Sequence, residues 1–178
     1  MPTYREELKR AMDYLATKNN TIFMGQAVAC DGTGMSNSFK DIDKSKLLEL
    51  PVEEDLQLGM AIGMSLNNIV PICIFPRWNF LLLATNQIVN HLDKMETLLH
   101  GEYKGKVIIR TAIGSVSPLY PGPQHSGDFT DAFKLMCENI NIVRIENKNE
   151  IFEVYSDAYE SNNKKASIII ERSDCYDQ

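Results

Sequence analysis

Residues 51–75, Pro51-Val-Glu-Glu-Asp-Leu-Gln-Leu-Gly-Met-Ala-Ile-Gly-Met-Ser-Leu-Asn-Asn-Ile-Val-Pro-Ile-Cys-Ile-Phe75, decide how this chain folds. The Gly-punctuated apolar stretch over 53–67 predicts a helix that stops at Asn67-Asn68. Ile69–Phe75 is an unbroken apolar run of strand length. A strand apolar on both faces is covered on both faces, the mark of a parallel sheet between helical layers. Pro71 cannot donate to a ladder, so it is placed near the start of that strand. Glu53 and Glu54 fall in the first turn of the helix, where the macrodipole favours a carboxylate by about 0.3–1 kcal/mol. Two readings of this acidic pair stand: charge that complements the dipole, or a carboxylate aimed into an apolar crevice to act on a cofactor.

The same alternation extends in both directions. Residues 4–17 form an amphipathic pattern with a capping box at Thr3 and Glu6. Ile22–Ala29 reads as a strand and Cys30–Ser38 as a loop. Asn79–Leu99 reads as one long helix, capped by Asn79 and ended near Gly101. Lys106–Ala112 is a strand and Gly114–Gly127 a long, Pro-rich loop of the kind that often carries function. A helix over Asp128–Glu138, a strand over Ile140–Ile145, a helix over Lys148–Ser161 and a strand over Ser167–Glu171 complete the chain. Five strands alternating with helices predict one α/β domain over 1–178, a three-layer α/β/α sandwich with a mainly parallel sheet. Ligands in such folds sit beyond the carboxyl ends of the strands. That rim is where Cys30–Ser38, Pro76–Asn79 and Gly114–Gly127 fall.

Composition narrows the function. The 178 residues are 44% apolar and 24% charged, with a net charge of −6. That acidity argues against a nucleic-acid binder, which would normally show a basic face. No apolar run reaches the roughly 18 residues needed to span a bilayer. Cys30, Cys73, Cys137 and Cys175 form no C-x-x-C pair, so reduced thiols in a cytoplasmic chain are expected. Asp31-Gly-Thr-Gly34 lacks the spacing of a phosphate cradle and reads as a turn. His91, His100 and His125 share no metal-ligand spacing, and the acids show no Asp-x-Asn pattern, so no metal site is expected. A nucleophile elbow is also missing. His125, in Gly122-Pro-Gln-His-Ser-Gly127, is either an exposed structural histidine or a catalytic one. Trp78 and Phe80, either side of Asn79, read as packing residues.

In this order the pieces resemble the pyrimidine-binding (Pyr) domain of thiamine-diphosphate enzymes, most of all the β subunit of the E1 component of 2-oxo acid dehydrogenases in the transketolase family. The resemblance runs from Tyr4 to about Glu171. Tyr4-Arg-Glu-Glu-Leu8, Met24-Gly-Gln-Ala-Val-Ala29, Pro51-Val-Glu-Glu54, Asn79-Phe80, Asn86-Gln-Ile-Val-Asn-His-Leu-Asp-Lys94, Arg110-Thr-Ala-Ile-Gly114 and Gln124-His-Ser126 carry it.

The resemblance implies that Glu54 hydrogen-bonds N1′ of the aminopyrimidine and favours its imino form, whose nitrogen can then take the thiazolium proton. It places Phe80 against the pyrimidine and Val52 among the cofactor-binding residues. His125 falls near the reacting centre, with Gln124 beside it. Glu53 stands where the family commonly has serine and is expected to face solvent or a partner. Arg77 and Trp78 depart from the family pattern. A guanidinium there suits a substrate carboxylate or phosphate, or an ion pair across a subunit interface.

The family's second α/β domain and its diphosphate-binding (PP) half have no counterpart here. The expectation is therefore half of a split enzyme. A separate PP-domain α subunit would hold the diphosphate and Mg²⁺, most simply in an α2β2 assembly. The implied reaction cleaves a C–C bond next to a carbonyl of a 2-oxo acid. Ketol transfer from a ketose, and a non-catalytic binding module, are the alternatives.

Overall fold

The computed structural model describes residues 2–30, 33–103, 105–117, 119–161 and 166–176. It opens with α1 (Tyr4–Ala16), started by the expected capping box: the Thr3 hydroxyl accepts from the Glu6 amide and the Glu6 carboxylate from the Thr3 amide. Then come β1 (Thr21–Gly25), β2 (Leu47–Glu49), α2 (Glu54–Ser65) and β3 (Val70–Phe75). After β3 lie two short helices, α3 (Trp78–Leu81) and α4 (Met95–Leu98), and the strand β4 (Ile108–Ile113). The chain ends with α5 (Thr130–Met136), β5 (Asn141–Arg144), α6 (Ile151–Glu160) and β6 (Ser167–Arg172). All six strands are parallel, in the order β2-β1-β3-β4-β6-β5. Pro71 is the second residue of β3, as its missing donor requires.

The strand sequences are continuously apolar because both faces of the sheet are covered. Val70, Ile72 and Ile74 of β3, Ile108 of β4 and Ile169 of β6 face the layer built from α1, α6 and the turn Ser36–Phe39. Cys73, Phe75, Ile109, Ile168 and Ile170 face the layer built from α2, α3 and α5. Alternate residues of each strand thus serve opposite cores. A fully buried aliphatic side chain stabilises by about 1.5–3 kcal/mol, so this pleat sets the strand register firmly.

One polar knot lies inside the first layer. Arg110 (β4) grips Glu171 (β6) through Nε at 2.6 Å and Nη2 at 3.0 Å, and its Nη1 donates to the Ser38 hydroxyl at 2.7 Å. The Tyr155 and Tyr176 hydroxyls donate to the two oxygens of the same carboxylate. Both ions are fully buried. Burial, and then the Glu171 charge, hold the two phenols well above the usual tyrosine range. Desolvation opposes the Arg110 charge, but Glu171 outweighs it and the guanidinium titrates above its ordinary range.

The structure differs from the sequence expectation in three places. The strand drawn over Ile22–Ala29 ends at Gly25, because the Glu49 carboxylate takes the amides of Ala27, Val28 and Ala29 at 2.6–2.8 Å and curls the chain, with Ala27 at φ 54°. An unexpected sixth strand, Leu47–Glu49, lines the sheet edge; three residues are too few for a period to register. The helix drawn over Asn79–Leu99 is broken after Leu81 into 3₁₀ turns, a π-helical turn at Gln87–His91 and α4. Asn79 does not cap it: Arg77 holds the capping position and no side chain makes a capping bond. Glycine does end the segment, with Gly101 at φ 81°.

Candidate active site

Parallel strands bring the ends of β1, β2, β3 and β4 to one rim, and the three chemically informative side chains sit on segments that leave it. Glu54 begins α2 after β2, Phe80 lies in α3 after β3, and His125 lies in the loop after β4. β1 lies between β2 and β3, so about 10 Å of sheet separates those two strand ends.

Glu54 is only 8% exposed. Its carboxylate makes no hydrogen bond or ion pair with any described residue. The neighbouring Glu53 is exposed. The helix explains the difference: Glu54, Gln57, Leu58, Ala61, Ile62 and Ser65 are its buried positions, spaced i, i+3, i+4, i+7. Gln57 fixes this face to the sheet by donating from Nε2 to the carbonyls of Met24 at 3.2 Å and Ile74 at 3.1 Å. That approach requires glycine at 25, where a Cβ would stand 2.5 Å from the Ile74 oxygen on a backbone at φ 146°.

Phe80 and His125 meet edge to face, ring centroids 5.4 Å apart and planes at 77°. The residues that arrange this contact flank Phe80 in sequence. Asn79 Oδ1 accepts from the Gly127 amide at 3.0 Å. Arg77 Nη1 donates to the carbonyls of Gly114 and His125, the latter at 3.3 Å. The Pro76–Phe80 turn thereby clips both ends of the Gly114–Gly127 loop and lays the imidazole on the Phe80 ring. Pro118 of that loop, and Asp31 and Gly32 of the turn after β1, lie outside the described residues.

Arg77 and Phe80 also wall a cleft of about 360 Å³ with Met35, Pro76, Leu119 and Tyr176. Phe80, His125 and Arg77 are therefore gathered in one place. Glu54 stands apart from them, joined to neither ring by hydrogen bond, ion pair or ring contact. Val52 is 63% exposed just ahead of α2, and Gln124 is exposed beside His125. Among the described residues no group of three His, Cys, Asp or Glu converges as a metal site, and no helix is long and apolar enough to cross a membrane.

The model of the transketolase pyrimidine-binding domain family matches residues 1–177. The chain belongs to this family. Its relatives include the pyruvate dehydrogenase E1 component subunit beta of Ascaris suum, 27% identical over 145 residues that cover 79% of this chain and 39% of the relative. The 3-methyl-2-oxobutanoate dehydrogenase subunit beta of Mycobacterium tuberculosis is 24% identical over 149 residues, 79% of this chain and 41% of that one. The chain spans about two fifths of the length of these curated relatives. Among solved structures, one described as a split gene transketolase, an inactive beta4 tetramer, matches with a TM-score of 0.72 at 16% identity. It covers 95% of this chain and 51% of that chain. That likeness establishes the fold.

For a transketolase-type pyrimidine-binding domain, Gln57, Asn79 and Glu49 are the residues that sequence reasoning missed. Gln57 left one trace, a polar residue on the buried stripe of an apolar helix. Asn79 and Glu49 act on backbone amides far along the chain, and no local pattern announces that.

Proposed function

We propose that this chain is the pyrimidine-binding subunit of a two-chain, thiamine-diphosphate-dependent enzyme that cleaves a C–C bond next to a carbonyl, with 2-oxo acids as the substrate class. One observation carries the reading: Glu54 is a buried, unpartnered carboxylate at the strand-end rim that also holds the Phe80–His125 pair. A largely buried carboxylate that no protein group engages, at the mouth of the rim, is free to accept from a ligand N–H.

The residues fit the cofactor's aminopyrimidine half. Thiamine diphosphate, when bound, supplies the nucleophilic carbon and the electron sink for cleavage beside a carbonyl. Glu54 would hold a proton at N1′ of the aminopyrimidine, its side chain 8% exposed and free of protein partners. Phe80 offers a flat apolar surface to the ring, with exposed Val52 at the entrance. His125, held on Phe80 by the Arg77 and Asn79 clips, hydrogen-bonds or protonates the substrate-derived oxygen, and Gln124 is its polar neighbour.

The diphosphate and Mg²⁺ fall to a partner chain in this reading. The outward side of α2 supports such docking, since Leu56 is 51% exposed there, Leu83 is 66% exposed on the following segment, and Gly63 has open space around it. The test is co-expression with a PP-domain subunit, then calorimetry with thiamine diphosphate and Mg²⁺. Binding by the pair that is lost in Glu54→Gln is expected. Equally tight binding by this chain alone sinks the split site. A panel of 2-oxo acids and ketoses on the assembled pair then separates decarboxylation from ketol transfer.

A further inference from the structure

We propose that Arg77 is the receptor for the anionic group of the substrate, a carboxylate or a phosphate, in the cleft walled by Met35, Phe80 and Leu119. This rests on the reading that the rim acts on small carbonyl substrates, and it adds the chemistry by which they are held. Arg77 is half committed. Its Nη1 is occupied by the carbonyls of Gly114 and His125, whereas Nε and Nη2 have no partner among the described residues. Those two N–H groups share one edge of the guanidinium. Arg110 shows in the same molecule what that edge does: its Nε and Nη2 take both oxygens of Glu171 at 2.6 and 3.0 Å. Such a fork matches carboxylate and phosphate geometry.

The surroundings favour an anion. No carboxylate is among the described residues lining the cleft, and Met35, Pro76, Phe80, Leu119 and Tyr176 give it apolar walls. Low polarity strengthens the attraction of a permanent cation for an incoming anion. Arg5 also lines the cleft, but its Nε donates to the Tyr176 carbonyl at 2.9 Å, so it serves as wall. About 360 Å³ suits a small metabolite. Because Nη1 holds the His125 carbonyl, an anion on the opposite edge fixes the same guanidinium that places the imidazole. Substrate capture and His125 placement are thus coupled through one side chain.

The test uses the full chain and the fluorescence of its one tryptophan, Trp78, buried next to Arg77 in sequence. Pyruvate and glycerol 3-phosphate are the probes, and methyl pyruvate is the neutral control. Saturable quenching by one of the two anions, absent with methyl pyruvate, is expected; which anion saturates names the group. In Arg77→Gln the affinity should fall by about tenfold or more. No saturable response to either anion, an equal response to methyl pyruvate, or equal affinity in Arg77→Gln overturns the proposal. The methyl pyruvate comparison needs no variant, so a misfolded Arg77→Gln does not blunt the test. Loss of cofactor binding by the assembled pair, with anion binding intact, would count against the thiamine-diphosphate reading alone.

Discussion

Glu171 and Glu54 are both buried glutamates, one in each helical layer, and they are buried in opposite ways. Glu171 is fully enclosed in the α1/α6 layer, and its two oxygens accept from Arg110, Tyr155 and Tyr176. Glu54 lies under the first turn of α2 at the rim, with no described partner. A carboxylate that satisfies itself within the fold serves the fold. One that is largely buried yet left open at the rim without a protein partner, on a helix that Gln57 bolts to the sheet, is available to something that arrives. The same contrast runs through the arginines: Arg110 has its fork closed on Glu171, and Arg77 has the corresponding edge open.

The comparison is broken most sharply by swapping each carboxylate for an amide. Glu171→Gln leaves Arg110 buried without its counter-ion and should cost about 3–5 kcal/mol of stability in urea titrations. Glu54→Gln removes an unpaired charge, so stability should stay within about 0.5 kcal/mol of the parent or rise. Its effect belongs to the assembled enzyme, where turnover should fall by about 10²–10⁴-fold. If Glu54→Gln unfolds the chain as readily as Glu171→Gln, the distinction between the two layers is lost.

The sheet was legible because burial on both faces writes strands as unbroken apolar runs, and Ile69–Phe75 and Ser167–Glu171 stand almost where they were drawn. The edge strand Leu47–Glu49 has no such run, since Leu47 and Leu48 are only partly buried against the cores and Glu49 is exposed. The long helix after Asn79 failed for a specific reason. Apolar spacing through Leu81, Ala84, Ile88 and Leu92 is kept across 3₁₀ and π turns, so the pattern is continuous although the backbone is not. In the site, Glu54, Phe80 and His125 came from resemblance to a family, not from periodicity. Their supports were illegible: Arg77 and Asn79 act on carbonyls and amides about fifty residues away. Nor did Arg110, a basic residue inside a strand run, reveal that it would meet Glu171.

Alkaline titration sharpens the satisfied side of the comparison. The folded-state pKa values of Tyr155 and Tyr176 are raised by burial and by Glu171. A raised pKa means the folded state keeps a proton that the unfolded state has lost. The stabilisation is therefore complete below the unfolded value near 10 and declines as pH rises above it, by about 1.4 kcal/mol per pH unit per phenol. Tyr4 is raised in the same direction, as are the buried thiols, with Cys137 pushed up to about 11. All of these remain when Tyr176 alone is replaced. Tyr176→Phe should be less stable at pH 8, where Glu171 has lost a donor, and should show a shallower decline between pH 10 and 11. Equal slopes would mean that Tyr176 titrates alike in both states.

The smallest expected effect probes the open side, where the site loop hangs on clips rather than on a knot. Asn79 Oδ1 meets one amide, that of Gly127, at 3.0 Å on the partly buried rim. Asn79→Ala should cost about 0.5–1.5 kcal/mol, the ordinary worth of one such bond. Global stability therefore reads this clip poorly, and local exchange reads it well. Amide hydrogen exchange in residues 114–127 should speed up, while β4 and β6, locked by the sheet and by Arg110–Glu171, keep their protection. Faster exchange confined to the loop means that His125 is placed by the Pro76–Phe80 turn. Exchange that speeds up in β4 as well would tie the loop to the core, and the placement of His125 would then belong to the knot.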